Sequence, residues 1–266
     1  MTAQLLERQP GHESAELTDP TVHVTGLGKQ YRLGVTRAGS LYDNIGRIVG
    51  RRRTTQERPM IWALKDIGFA VPPGHVLGVM GRNGSGKSTL MKILARVTAP
   101  TEGEAETRGR VGALLQVGTG FHPELTGRDN IGLSGAILGM GRSEIAAVEQ
   151  QIIDFSEVNE FLDTPVKHYS SGMYLRLAFS VSAHMAADVM LIDEVLSVGD
   201  AGFQKKCQLR IRELVAQGRT VLFVSHSIAS VRALCDSAIV LDHGRLVFEG
   251  ATDDAAAYYE KEILRA

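Results

Sequence analysis

No stretch of this sequence is apolar for long enough to cross a bilayer; its long apolar runs, such as Val189 to Ile192, have the length of core strands. The opening residues, MTAQLLERQPGHESAELTDP, mix charge, proline and glycine and lack the apolar stretch of a secretory leader. Cysteine is scarce. The two present, Cys207 and Cys235, match no metal-ligand spacing and read as buried thiols of a reducing compartment. A dominant charge is missing as well: 29 basic against 30 acidic residues leave a net charge of -1, so no global field draws the chain to nucleic acid. No internal repeat or low-complexity tract is present. These absences place the chain in the cytosol, where a membrane role requires a partner.

What is present is enough for a sizeable core. With 266 residues and 44% hydrophobic content, the chain is expected to form one large α/β domain or two small ones. Residues 1–19 read as a polar, disordered tail, and residues 20–266 as the folded domain. A strand around Val22 to Thr25 leads through Gly26–Leu27–Gly28 to Tyr31. From Trp62 onward short β-rich runs alternate with helical patterns, the mark of a mostly parallel sheet covered by helices. Strands are expected at His75–Met80, Val111–Leu115, Val189–Ile192, Thr220–Val224, Ala238–Leu241 and Leu246–Glu249. Residues 117–185 carry no strong strand signal and read as an inserted helical subdomain. Asp253 to Leu264 reads as a closing helix with no second domain after it.

The chemistry begins at Gly81–Arg82–Asn83–Gly84–Ser85–Gly86–Lys87–Ser88–Thr89, which matches G-x-x-x-x-G-K-[ST] between an apolar strand and an apolar helix. Glycines let backbone N–H groups converge on phosphate oxygens, and the helix starting near Lys87 points its positive end at the same anion. Lys87 is expected to reach the β- and γ-phosphates of ATP, and Ser88 to place its hydroxyl on Mg²⁺. Downstream, Val189–Met190–Leu191–Ile192 runs into Asp193 and Glu194. A strand beside a P-loop delivers an Asp to the metal shell, so Asp193 is expected to hold Mg²⁺, directly or through water, and Glu194 to orient or deprotonate the attacking water.

Taken together these motifs resemble the ABC transporter ATPases, from Val22 to the C-terminus. Tyr169–Ser170–Ser171–Gly172–Met173 looks like a variant of the LSGGQ signature, with Ser171 in place of the first glycine. The resemblance implies an α/β P-loop fold of ABC type: a mostly parallel core sheet, an antiparallel β subdomain and the helical insertion. It implies that Ser170, Ser171 and Gly172 act on nucleotide held by a second copy in a head-to-tail homodimer. It further implies a Q-loop Gln116 touching Mg²⁺ and water, a D-loop Asp200 at the dimer interface, and a switch His226 on the γ-phosphate. Tyr31 is the expected adenine-stacking aromatic, with Trp62 as the alternative.

A narrower resemblance rests on Gly118–Thr119–Gly120–Phe121–His122–Pro123–Glu124–Leu125–Thr126–Gly127–Arg128–Asp129–Asn130, on the run YSSGMYLRLAFSVS from Tyr169, and on VGDAGFQKKC. These are similar to ATPase subunits of bacterial polysaccharide exporters, although this chain stops before the carbohydrate-binding β-sandwich that some members carry. The branch implies a polytopic membrane permease as partner, a lipid-linked glycan as cargo, no nucleic acid, and a peripheral position on the cytoplasmic face of the bacterial inner membrane. The remaining readings are the ATPase of another ABC transporter (a drug or lipid exporter, or an importer), a soluble ABC ATPase of translation or DNA repair, and a regulatory or scaffold protein that binds ATP without hydrolysing it, against which the intact Lys87, Asp193, Glu194 and His226 argue. Residues 34–60 form a basic insert. Ser40 and Asp43 suggest a capping box, Leu41, Ile45, Ile48 and Val49 share one helical face, and Arg47, Arg51, Arg52 and Arg53 lie nearby. It reads either as a solvated loop packed on the domain or as an amphipathic helix meeting the membrane surface or a lipid pyrophosphate.

Overall fold

The computed structural model describes residues 19–32, 59–114, 118, 120–193 and 200–264. Gln116, Glu194, the tail up to residue 18 and all of the basic insert except residues 59 and 60 lie outside the described residues.

Two sheets organise the chain. The larger has six strands in the order β5-β6-β7-β3-β8-β9: β5 (Val111–Leu114), β6 (Val189–Asp193), β7 (Thr220–Val224), β3 (Val76–Met80), β8 (Ser237–Asp242) and β9 (Arg245–Ala251). Every pairing from β5 to β8 is parallel, and β9 joins β8 antiparallel. All residues of β3 and β7 are buried, which is why these strands read as continuous apolar runs rather than as alternations. Strand pleating sorts their side chains to opposite faces. Met80, Ile192, Val221 and Phe223 enter one core cluster, while Val79, Leu191, Leu222 and Val224 enter another. Burying one such side chain contributes roughly 1.5–3 kcal/mol, so the central strands are the stiffest platform available for a site.

The smaller sheet is antiparallel, in the order β2-β1-β4, from β1 (Val22–Arg32), β2 (Met60–Val71) and β4 (Glu102–Thr107). Its Val22, Leu27, Leu64 and Phe69 share the second cluster with Leu90 and Met91 of α1 (Lys87–Leu94), so the helix after the phosphate loop is clamped between the two sheets. Strand β1 runs seven residues beyond the expected Thr25, and Glu102–Thr107 is a strand that its polar sequence did not suggest.

Between β5 and β6 lie α2 (Gly127–Ile137), α3 (Arg142–Ser156) and α4 (Ser171–Ala183), whose Ile131, Ile152, Leu177 and Val181 build a third cluster. Thr126 caps α2 through a reciprocal box with Asp129, at 3.1 Å and 3.3 Å. Helices α5 (Ala201–Ala216) and α6 (Ile228–Leu234) cover the sheet after β6 and β7. The expected closing helix divides into α7 (Thr252–Tyr258) and a π-turn, Tyr259–Ile263, that buries Tyr259 and Ile263. Among the described residues no helix is long and apolar enough to cross a membrane.

Candidate nucleotide site

In an open sheet with parallel strands, ligands sit beyond the carboxyl ends of the strands. There β3 passes into Gly81, β6 ends at Asp193, and β7 ends one residue before Ser225. The loop 81–86 feeds α1 through Gly86, whose φ of 109° favours glycine. Space forbids a side chain there as well: a Cβ on Gly86 would lie 2.6 Å from the Ala63 carbonyl oxygen. Gly84 has φ 81°, and among the described residues nothing lies within 4 Å of a Cβ position there.

A cavity of about 380 Å³ opens at this point. Asn83, Gly84, Gly86, Lys87, Ser88 and Thr89 line it from the loop and helix, Ala63 from β2, and Asp193 from β6. Lys87 is buried at 8% exposure, and its ammonium donates to the carbonyls of Gly81 at 2.6 Å and Arg82 at 3.0 Å. A buried cation at the cavity wall suits an anion arriving there. Among the described residues the buried Ser85 hydroxyl has no hydrogen-bond partner, which leaves an unmet donor within the same loop. Phosphate therefore fits the loop. A hard cation fits beside it, because Ser88 and Asp193 bring a hydroxyl and a carboxylate to one cavity. Among the described residues no group of three or more His, Cys, Asp or Glu could hold a metal alone, and Mg²⁺ commonly takes one or two protein ligands together with substrate phosphate oxygens and water. Ser85 and Arg82 also line a second cavity of about 190 Å³, together with Asp242 and His243.

His226 is exposed and follows β7, where Val224 pairs with Asp193 of β6. Tyr31 lies opposite Ile61, two residues from the cavity-lining Ala63, with the Lys29 ammonium 5.4 Å from its ring. Neither Tyr31 nor Trp62 lines the cavity. Nor do Ser170, Ser171 and Gly172, which open α4. Ser170 caps that helix by accepting the Met173 N–H at 3.2 Å. Among the described residues a Cβ on Gly172 would meet only the Ser170 hydroxyl, at 3.8 Å. Asp200 caps α5 by accepting the Phe203 N–H at 3.0 Å. That bond, and then the Arg176 guanidinium beside it, hold its carboxyl below the usual aspartate range.

Three supporting residues were not anticipated. Ala63 gives no signal of its own in the sequence, since its place depends on β2 passing under Gly86. Arg176 pairs with Asp200 and, at 2.7 Å, with Glu157, and its one warning was a lone charge in the apolar run Tyr174 to Ala183. Tyr174 sets its ring edge-to-face against Phe121, with centroids 5.2 Å apart.

Residues 64–197 match the sequence pattern of the family described as "ABC transporter". The O-antigen export system ATP-binding protein RfbB of Myxococcus xanthus is 43% identical over 212 residues, 80% of this chain and 48% of that protein. The chain thus spans about half the length of that relative. A protein with the same description from Klebsiella pneumoniae is 45% identical over 201 residues, 76% of this chain and 82% of its own length. Among solved structures, the dimeric ATP-binding cassette MJ0796 bound to ADP and Pi aligns with a TM-score of 0.69 over 87% of this chain and 98% of its own, at 21% identity, a likeness of fold. The phosphate cradle, the six-stranded sheet and these relatives agree: the chain belongs to the ABC transporter family as an ATPase cassette, in the branch that holds these O-antigen export ATP-binding proteins.

Proposed function

We propose that this chain is the ATP-hydrolysing subunit of an exporter that moves a lipid-linked polysaccharide across the bacterial cytoplasmic membrane. It works as a head-to-tail homodimer on the cytoplasmic face, against a separate polytopic permease. The observation that carries this reading is the single cavity shared by Lys87, Ser88 and Asp193. Support for the cargo comes from the O-antigen export relatives.

On this reading the backbone of Gly81–Thr89 cradles the phosphates, and Lys87 exchanges its carbonyl partners for β- and γ-phosphate oxygens. Ser88, Asp193 and Gln116 would hold Mg²⁺, which when bound would offset charge on the phosphates. Glu194 takes a proton from the attacking water, and His226 steadies the γ-phosphate. Ser170 and the N–H of Gly172 close on that phosphate from the second copy, with Ser171 completing the turn and Asp200 near the joint. Loss of the γ-phosphate removes the bridge and the dimer opens.

The test is Glu194→Gln. Nucleotide binding should persist, a dimer should accumulate with MgATP on size-exclusion chromatography, and phosphate release should nearly stop. Turnover at the wild-type rate would identify another base and sink this assignment.

A further inference from the structure

We propose that Tyr174 is a positioning residue that ties the Ser170–Gly172 turn to Gly118 and Phe121, so that they move as one piece. The inference rests on the proposed role of Ser170–Gly172 at the γ-phosphate and names the side chain that carries motion to it.

Tyr174 stands one turn into α4, and its N–H donates to the Ser170 carbonyl at 3.0 Å. Its side chain leaves the signature turn and reaches the segment that follows Gln116 in sequence. The ring meets Phe121 edge-to-face at 5.2 Å and 68°, and the hydroxyl lies 3.4 Å from the Gly118 carbonyl oxygen. That oxygen also accepts the Phe121 N–H at 2.9 Å, so Gly118 and Phe121 are bonded to each other and both meet the same tyrosine. Gly118 has φ 81°, and a Cβ there would fall 2.3 Å from the Tyr174 hydroxyl oxygen. The ring therefore occupies the space that a side chain at 118 would need.

Arg176, two positions on, fastens the same helix elsewhere, to Glu157 and Asp200. Helix α4 thus has a charged anchor toward α3 and α5 and an aromatic contact toward the loop. Close-packed contacts of this kind pass displacement on rather than absorb it. A group moved by about 1 Å from its productive position can cost on the order of 100-fold in rate. Tyr174 has no place in the cavity around Lys87, so its loss should leave nucleotide binding intact.

The experiment compares wild type with Tyr174→Leu, Tyr174→Phe, Phe121→Leu and the Tyr174→Leu/Phe121→Leu pair. ATPase kcat and KM are measured alongside the Kd of a fluorescent ATP analogue. Tyr174→Leu should lower kcat about 10- to 100-fold with Kd changed by less than about two-fold. Tyr174→Phe should stay near wild type, and the double variant should be no slower than Tyr174→Leu alone. A wild-type kcat in Tyr174→Leu, or losses that multiply in the pair, would overturn the tie. A second arm needs no catalysis: in Gly118→Ala the amides of residues 170–175 should exchange hydrogen faster, with those of 83–88 unchanged. Unaltered exchange at 170–175 would also overturn it. An inactive wild type would defeat the proposed function, and the exchange arm would still decide the tie.

Discussion

Asn130 ties the loop 122–126 together through four side-chain hydrogen bonds, and removing its amide should have a measurable and calculable effect. It has no solvent exposure. Its Oδ1 accepts the His122 N–H at 2.7 Å, and its Nδ2 donates to the carbonyls of His122, Leu125 and Thr126 at 3.1, 3.1 and 2.8 Å. In Asn130→Ala those carbonyls keep other donors: the N–H groups of Leu125, Val166 and Asn130 itself, at 3.1, 3.0 and 3.0 Å. The His122 N–H loses its acceptor. Leaving that donor unpaired costs about 1–3 kcal/mol, and losing the two N–H bonds of the amide adds about 1 kcal/mol for the pair after the carbonyls relax, so the total is about 3 kcal/mol. For a domain near this size 1 kcal/mol moves the melting point by about 2–4 °C, so Tm should fall by about 6–12 °C. Circular dichroism melts of the full chain at neutral pH would measure it. Asn130→Asp should fall further than Asn130→Ala, since it sets a buried carboxylate against three carbonyl oxygens. A shift under about 2 °C for the alanine variant, or an aspartate variant as stable as wild type, would refute the reasoning.

Two further outcomes follow from titration. Burial pushes the thiols of both Cys207 and Cys235 up to about 12. At pH 8 on the order of one molecule in 10⁴ then carries a thiolate at either site, so an aromatic disulfide reagent should label neither in the native chain and both in denaturant. Rapid native labelling would contradict the burial. On the acid side, Asp200, Glu124 and Glu144 are all held below their ordinary values: by the Phe203 N–H and then Arg176, by Lys167, and by the Gly141 N–H and then Arg110. A carboxyl depressed in the folded state adds stability above its unfolded pKa and loses it as pH falls through the folded value. Tm should therefore drop between about pH 5 and pH 3, and more gently in an Asp200→Asn variant. An equal slope in wild type and variant would remove Asp200 from the account.

The phosphate loop was legible because chemistry restricts residue type there: backbone that must approach an anion needs glycine, and Lys87 follows at the helix start. The buried strands Val189–Asp193 and Thr220–Val224 were legible because both faces are covered, which forces unbroken apolar runs. Glu102–Thr107 escaped notice because nothing in Glu-Gly-Glu-Ala-Glu-Thr favours a strand; it is one because the open side of β1 offers its backbone partners from Val22 to Gly28. The sequence signal for β1 ends near Thr25 for a related reason, since the register slips on either side of Leu27 and breaks the alternation. The supports of the site fall in the same class. Ala63, Tyr174 and Arg176 act through residues 23, 56 and 24 positions away in sequence, respectively Gly86, Gly118 and Asp200. Their identity is set by shape and charge that only the folded chain brings near. Asp200 shows both kinds of constraint at once. Its place in the D-loop pattern is a property of local sequence, whereas the Phe203 N–H it caps and the guanidinium it meets belong to the fold. Any role for Asp200 at a joint between two copies must then compete with the bonds it already makes inside one.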